Sequence, residues 1–213
     1  MSSTPGTGTR PPRVVLVAVA LVALAAGLAG GMLLASGLLT SSTPPEGSAE
    51  AGFARDMDAH HDQAVQMATL VRDRSQDETI RSLALDMVLT QRQQQGQMFG
   101  WLASWGLPPA STEIMAWMGD HHSVQGLSQM PGMATPEQLD ALRQAEAVEA
   151  ERIFLALMIP HHEGGVEMAE AVLELSERPE VRRLASSIVE GQTAEIDVLR
   201  MLLDERGGPP EGL

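Results

Sequence analysis

The chain contains an internal duplication, and this duplication constrains the fold more than any other feature. Residues 53–106 align without a gap on residues 154–207, at a constant offset of 101. Identical pairs such as Phe53/Phe154 recur along the aligned segments. The unit is too long for a solenoid repeat and occurs twice, so it indicates a duplicated structural unit rather than a repeat array.

Each copy has the apolar spacing of two amphipathic helices. The helices of copy one are separated by a break at 75–77, and those of copy two by a break at 176–179. No segment combines alternating polarity with β-branched residues, so no strands are expected. Because an apolar helix face must be covered by another element, two such hairpins predict an all-α fold with a four-helix bundle. The predicted domain spans residues 51–207.

An insert separates the two copies at residues 107–148. A short helical piece is expected around 112–118, followed by a loop rich in Gly, Met and Ser. A further helix is predicted to begin at Thr135, because Thr135 can cap it, Pro136 suits its first turn and Gln138 can complete a capping box.

The N-terminal region has the pattern of a membrane segment. Residues 14–39 contain no charge over 26 positions, and a helix of that length spans roughly 39 Å, more than the ~30 Å hydrocarbon core. Arg10 and Arg13 precede it, which predicts a cytoplasmic tail at 1–13, an anchor, a linker at 40–50 and an extracytoplasmic domain. A cleaved signal peptide would instead give a secreted domain.

The composition excludes several classes of function. The chain has 28 acidic against 14 basic residues and a net charge of −14, which argues against a nucleic-acid partner. It has no Cys, so thiolate metal sites and thiol catalysis are excluded. There is no Gly-x-Ser-x-Gly motif and no Gly-rich phosphate loop, so we expect a binding protein and no enzyme.

All six histidines lie in three Met-x-x-His-His motifs. On an ideal helix His60 lies near the middle of the apolar stripe and His61 at its edge, and copy two repeats this pattern. Packing about a pseudo-twofold axis would bring His60 and His161 towards each other. A buried imidazole is costly unless its nitrogens have partners, which makes a ligand role attractive.

Methionines flank each His pair on the same helix face and recur in the insert. Neutral imidazole with thioether, and without thiolate, is typical of copper sites, and thioether favours Cu(I). The sequence therefore predicts copper as the bound metal. The candidate ligands are His60, His61, His161, His162, Met57, Met67, Met158, Met168, His121, His122, Met118, Met130 and Met133.

The two duplicated His motifs resemble a known family. Residues 60–68 and 158–169 are similar to the signature of the domain-of-unknown-function family 305, and the resemblance covers about residues 50–207. Copy two departs from it at Gly165, where Ala is usual. The resemblance implies a ferritin-like helical bundle, secreted or anchored in a membrane, and some members, the CopM-like proteins, bind copper.

Three functions remain open from the sequence. The first is a membrane-anchored, extracytoplasmic protein for copper binding, buffering or tolerance, with a copper-delivery protein or a second copy of the chain as candidate partners. The second is a structural or interaction module whose histidines serve the core. The third is a ferritin-like di-metal oxidase, which the absence of a Glu-x-x-His motif disfavours.

Overall fold

The computed structural model describes residues 23–25, 27–28, 43–119 and 123–213. The chain divides after Thr43, and Pro44–Leu213 forms one compact unit. Residues 23–25 and 27–28 are helical, and the rest of the predicted anchor at 14–39 lies outside the described residues, as does the predicted tail at 1–13. Within the described part of the chain, no helix is long and apolar enough to cross a membrane.

The regular secondary structure of the described residues is helical. Four long helices form two hairpins, a fifth short helix lies between them, and single 3₁₀ turns lie at Ala116–Met118 and Leu127–Gln129. Beyond these, one isolated bridge joins Ile114 to Val124. The helical piece predicted at 112–118 is thus shortened to one turn. The α-helices are α1 (Ala49–Arg74), α2 (Glu78–Trp105), α3 (Pro136–Gln144), α4 (Ala147–Leu175) and α5 (Pro179–Glu205).

Local sequence signals account for where these helices begin and end. The Thr135 hydroxyl accepts from the Gln138 N–H while the Gln138 side chain accepts from the Thr135 N–H, which is the predicted capping box. Helix α2 ends at Gly106, whose φ of 69° is the left-handed conformation that glycine adopts without strain. Helix α4 continues through Pro160.

The two hairpins exchange equivalent contacts, as expected for a pseudo-twofold axis. The Ser75 hydroxyl donates to Glu151 at 2.5 Å, and the Ser176 hydroxyl donates to Glu50 at 2.8 Å. Each serine and each glutamate is related to its counterpart by the offset of 101. Because each serine belongs to one copy and its glutamate to the other, these bonds tie the hairpins together. Helices α1 and α4 form the contact between the hairpins.

Two apolar clusters lie along the α1–α4 contact. One contains Phe53 with Met57 and Met168, and the other contains Phe154 with Met158. Met67 belongs to the second cluster. Each cluster therefore combines residues from the first half of one copy's first helix with residues from the second half of the other copy's first helix. In sequence, the His pairs at 60–61 and 161–162 lie between these two sets of residues. All six of these apolar side chains are fully buried.

Side chains of α1 bind the insert on both sides of the first His pair. Near its start, the buried Asp56 carboxylate accepts from the Met115 N–H and the Trp117 indole N–H, both at 2.8 Å. Near its end, the Gln63 side chain accepts from the Ala134 N–H at 2.7 Å and donates to the Ala134 carbonyl at 3.0 Å. These bonds hold the intervening insert against the face of α1 that carries the first His pair.

The loop at Pro131 and Gly132 packs directly on α4. A Cβ added to Gly164 would lie 2.1 Å from the Pro131 carbonyl oxygen, and one added to Gly132 would lie 2.0 Å from the Pro160 carbonyl oxygen. Gly132 also has a φ of +72°. Both glycines are therefore required for the loop to approach the helix beside His161.

We expect Gly164→Ala to destabilise the protein by about 1–3 kcal/mol, because the new methyl group meets backbone that cannot move away without undocking the loop. The matched control is Gly191→Ala, on α5, where no atom lies within 4 Å of the added Cβ. That control should be neutral or stabilising by up to about 1 kcal/mol. Urea unfolding of both variants measures the difference, and equal stability would contradict the packing described here.

Candidate metal centre

Four histidines lie at the contact between α1 and α4. His60, His61, His161 and His162 each have a relative exposure of 0%. The rings of His60 and His161 are 3.8 Å apart between centroids at an interplanar angle of 32°, and those of His161 and His162 are 6.3 Å apart. The pseudo-twofold packing thus brings the inner pair into contact, as the duplication predicts. His61 and His162, predicted at the edge of the stripe, are buried because α2 and α5 cover them.

Every one of these imidazoles uses its Nε2 in a hydrogen bond to oxygen. The inner pair donates to backbone carbonyls and the outer pair contacts side chains of α2 and α5. The Nε2 contacts are His60 with Pro131 O at 3.0 Å, His161 with His60 O at 3.0 Å, His61 with Gln94 Oε1 at 2.6 Å, and His162 with Glu195 Oε2 at 2.7 Å.

These contacts fix the tautomer. A carbonyl or carboxylate oxygen can only accept, so Nε2 carries the proton and Nδ1 keeps the lone pair in a neutral imidazole. The Nδ1 atoms of all four histidines are buried and have no hydrogen-bond partner. A buried acceptor left unpaired is costly, which is a recognised sign of a site that binds an ion. A metal ion is an electron-pair acceptor that such nitrogens can bind.

Burial also keeps three of the imidazoles, those of His60, His61 and His161, neutral. It lowers the pKa of His60 from 6.5 to about 4 and that of His61 to about 3. The pKa of His161 is lowered well below 6.5, first by burial and then by the nearby His60 and His162, beside which a positive charge is unfavourable. Since a metal competes with protons for these nitrogens, low pKa values keep the lone pairs available near neutral pH.

The predicted methionine ligands of the two copies are buried. In sequence they lie before and after the His pairs. Met57, Met67, Met158 and Met168 each have 0% exposure. Met57 and Met168 lie in one apolar cluster, whereas Met67 and Met158 lie in the other. The duplication therefore distributes the four thioethers equally between the two clusters.

The insert methionines belong to the cluster of Met57. Met130 is buried in it, while Met118 and Met133 are partly buried against it. His121 and His122, the remaining candidate ligands, lie outside the described residues. Among the described residues, no group of three or more His, Asp or Glu is arranged to hold a metal ion.

Comparison with known proteins identifies the family. The profile of the family described as a domain of unknown function, DUF305, matches residues 50–203, which is more than half of the chain. The chain belongs to the DUF305 family. No curated protein matches this DUF305 chain.

Solved structures of other DUF305 proteins have the same fold. A DUF305 protein from Streptomyces coelicolor, described as secreted, is 44% identical with a TM-score of 0.73, over 79% of this chain and 100% of that one. A DUF305 fragment from Deinococcus radiodurans is 39% identical with a TM-score of 0.63, over 74% and 96%. CopM in its Cu(II)-bound form is 26% identical with a TM-score of 0.59, over 74% and 97%.

Two functional residues of this DUF305 protein are not evident from the His motifs. Gln94 and Glu195, which hold His61 and His162, are related by the offset of 101 and occupy equivalent positions in α2 and α5. The sequence signal that could have identified Gln94 is its position as a polar residue within the apolar stripe of α2, where Gln91 and Gln94 lie between the buried Met87 and Met98. The Pro131 carbonyl carries no such signal, because its position depends on how the insert packs.

The metal-free DUF305 protein should lose stability as the pH falls below about 6.5. Unfolding exposes the imidazoles and restores a pKa of about 6.5, so between about pH 4 and 6.5 the unfolded chain binds more protons than the folded one. The unfolding free energy therefore rises with pH in this window, by up to about 1.4 kcal/mol per pH unit for each of His60, His61 and His161, and levels off above it.

Urea unfolding between about pH 5 and 7.5 measures this dependence, because most carboxylates, with a pKa of about 4, remain ionised there. An unfolding free energy that stays constant from about pH 5 to 6.5 would show that the histidines are not buried in the neutral form.

Proposed function

We propose that this protein binds copper outside the cytoplasm through its paired histidines and flanking methionines. The observation that carries the proposal is the set of four buried imidazoles in which Nε2 is held by oxygen and Nδ1 has no partner. In metal sites the second nitrogen of a ligating His is held in this way, which orients the ring and fixes the tautomer. The contact of His162 with the Glu195 carboxylate is an arrangement of this kind.

The structural neighbours support copper in particular. CopM, whose fold this chain shares, has been solved with Cu(II), with Cu(I) and with silver. Silver(I) and Cu(I) are both soft ions that thioether ligands favour. The four buried methionines beside the His pairs supply thioethers in this chain.

The ligand types favour a copper-binding protein over a di-metal oxidase. Di-iron and di-manganese bundles hold their ions with several inward Glu carboxylates and His. In the described part of this chain, no group of three or more His, Asp or Glu is arranged to hold a metal ion. Two imidazole nitrogens completed by thioether sulfur would satisfy Cu(I) without such a group. We therefore assign binding, buffering or delivery of copper, and no catalysis, to a ferritin-like four-helix bundle.

The site of action that we propose is the outer face of the membrane. Residues 14–39 would anchor the chain, with Arg10 and Arg13 retained in the cytoplasm. A related DUF305 protein described as secreted supports an extracytoplasmic domain. Copper supply there implies a copper-delivery protein as partner, and a second copy of the chain is the alternative partner.

The double variant His60→Gln, His161→Gln should weaken Cu(I) binding by more than about 100-fold, since loss of a ligand costs more than loss of the residue that orients it. Glutamine retains an N–H for the Nε2 contacts but lacks the Nδ1 lone pair. Competition with a Cu(I) chelator gives the affinity, and metal-free melting checks the fold. Glu163→Gln is the control, because it removes an exposed carboxylate next to His162 without touching a ring.

Equal affinities of the wild type and the double variant would overturn copper binding at this site and leave the histidines as core residues. Wild-type protein with Cu(I) at about 100 times its dissociation constant should gain about 2.7 kcal/mol of stability, which a thermal melt detects.

The contribution of the thioethers is tested by replacing Met57 and Met168 with Leu. Leucine is close to Met in volume, so the apolar cluster should lose less than about 1.5 kcal/mol per site. Cu(I) affinity should fall, whereas Met201→Leu, at an exposed methionine of α5, should leave it unchanged. Unchanged affinity in the double variant would exclude Met57 and Met168 as ligands.

A further inference from the structure

A cavity with a mixed polar and apolar lining, the apolar part being Met87 and Ile188, lies between α2 and α5 beside the residues that hold the outer histidines. Its volume is about 110 Å³. That volume exceeds what one water molecule requires by several-fold. Thr90, Ser187 and Gly191 are exposed at its rim. Its buried lining includes Gln91, Gln94 and Gln192.

Two of the three amides of this cavity have polar atoms without a partner. Gln192 is 5% exposed, and neither its Nε2 nor its Oε1 has a hydrogen bond. Gln91 is 3% exposed, and its Oε1 has none. Buried amides without partners are rare unless water or an ion satisfies them. The two glutamines are equivalent residues of the duplication, so both copies direct a polar group into the α2–α5 contact, where apolar packing would otherwise be expected.

The cavity reaches the two residues that hold the outer imidazoles. Glu195 lines it, has a side chain 30% exposed, and contacts the fully buried His162 at 2.7 Å. Gln94 lines it as well and contacts His61 at 2.6 Å. The carboxylate of Glu195 attracts cations to the cavity.

The insert closes the other side of the His cluster. The Pro131 carbonyl accepts from His60, and Gly132 lies against the backbone of Pro160 and His161. That loop is fixed to α1 by the paired hydrogen bonds between Gln63 and Ala134. On this side the backbone of the insert packs against α4 beside His161, whereas on the α2–α5 side the cavity reaches Gln94 and Glu195.

We propose that this cavity is the port through which the metal cation reaches and leaves the buried histidines, with Gln91, Gln94, Gln192 and Glu195 as its transit ligands. The proposal rests on the proposed copper binding, and it adds the route and the residues that control the rate. These four residues line the path, and the Nδ1 atoms remain the final ligands.

Gly165 determines how open the port is. A Cβ on Gly165 would lie 2.3 Å from Oε1 of Gln192, so the absence of a side chain lets the glutamine lie against α4. The equivalent residue in copy one is Ala64. With Ala at 165, the flexible end of Gln192 would be displaced towards the cavity. Glycine at 165, where copy one has Ala64, therefore has a role in access.

The test is the rate of metal transfer in the full-length protein. Gly191→Trp places a large side chain at the rim, at a position with no atom within 4 Å of the added Cβ. Gly100→Trp is the matched control, since Gly100 is also an exposed helical glycine with open space and does not line the cavity. Stopped-flow absorbance follows Cu(I) transfer from bicinchoninate to the protein and back.

An obstructed port raises the barrier equally in both directions. In Gly191→Trp we expect association and dissociation to slow by about tenfold or more, with the dissociation constant within about twofold of wild type. Gly100→Trp should show wild-type rates. Gly165→Ala should slow both rates by a smaller factor. Thr90→Trp, from the facing helix, repeats the test if Gly191→Trp fails to fold by circular dichroism.

Wild-type rates in a folded Gly191→Trp or Thr90→Trp variant would overturn the port while copper binding stands. A changed dissociation constant with an unchanged association rate would also overturn it, because the cavity would then act on the bound state rather than on access. Absence of Cu(I) uptake by the wild type would overturn the proposed function and the port together.

Discussion

The burial of four imidazoles at one helix contact is the constraint on which the rest of the structure depends. Each ring needs an oxygen acceptor for its Nε2 proton, because an unpaired polar group in an apolar interior costs a few kcal/mol. Backbone carbonyls of the insert and of α1 serve His60 and His161, and side chains of α2 and α5 serve His61 and His162. The insert and both second helices are therefore positioned by the same requirement.

The duplication makes the two hairpins symmetric, and differences between the two copies make the His cluster asymmetric. Ser75 and Ser176 make equivalent bonds across the hairpins, which keeps the inner imidazoles in contact. In contrast, Gln94 is replaced by the charged Glu195 in copy two. The insert contacts His60 of copy one through the Pro131 carbonyl and packs on α4 beside His161. The cluster is consequently closed on the insert side and polar on the α2–α5 side.

The sequence predicts the helices and the inner His pair well, because helical periodicity and an internal repeat are local and countable signals. The outer pair is harder to predict, since burial of His61 depends on how α2 rotates towards it and places Gln94 over the ring. The docking of Pro131 and Gly132 is beyond sequence patterns, because loops have no period and their contacts are long-range. The roles of His121 and His122 remain a prediction from the sequence.

The assignment of Nδ1 as the metal-binding nitrogen is tested most directly by long-range proton–nitrogen NMR of the imidazoles with and without Cu(I), which is diamagnetic. Without metal, His60, His61 and His161 should show a protonated Nε2 and an unprotonated Nδ1 near pH 7. On addition of Cu(I), the Nδ1 resonances of the ligating rings should shift while the Nε2 protons remain. Loss of the Nε2 proton, or no change at any Nδ1, would contradict the assignment.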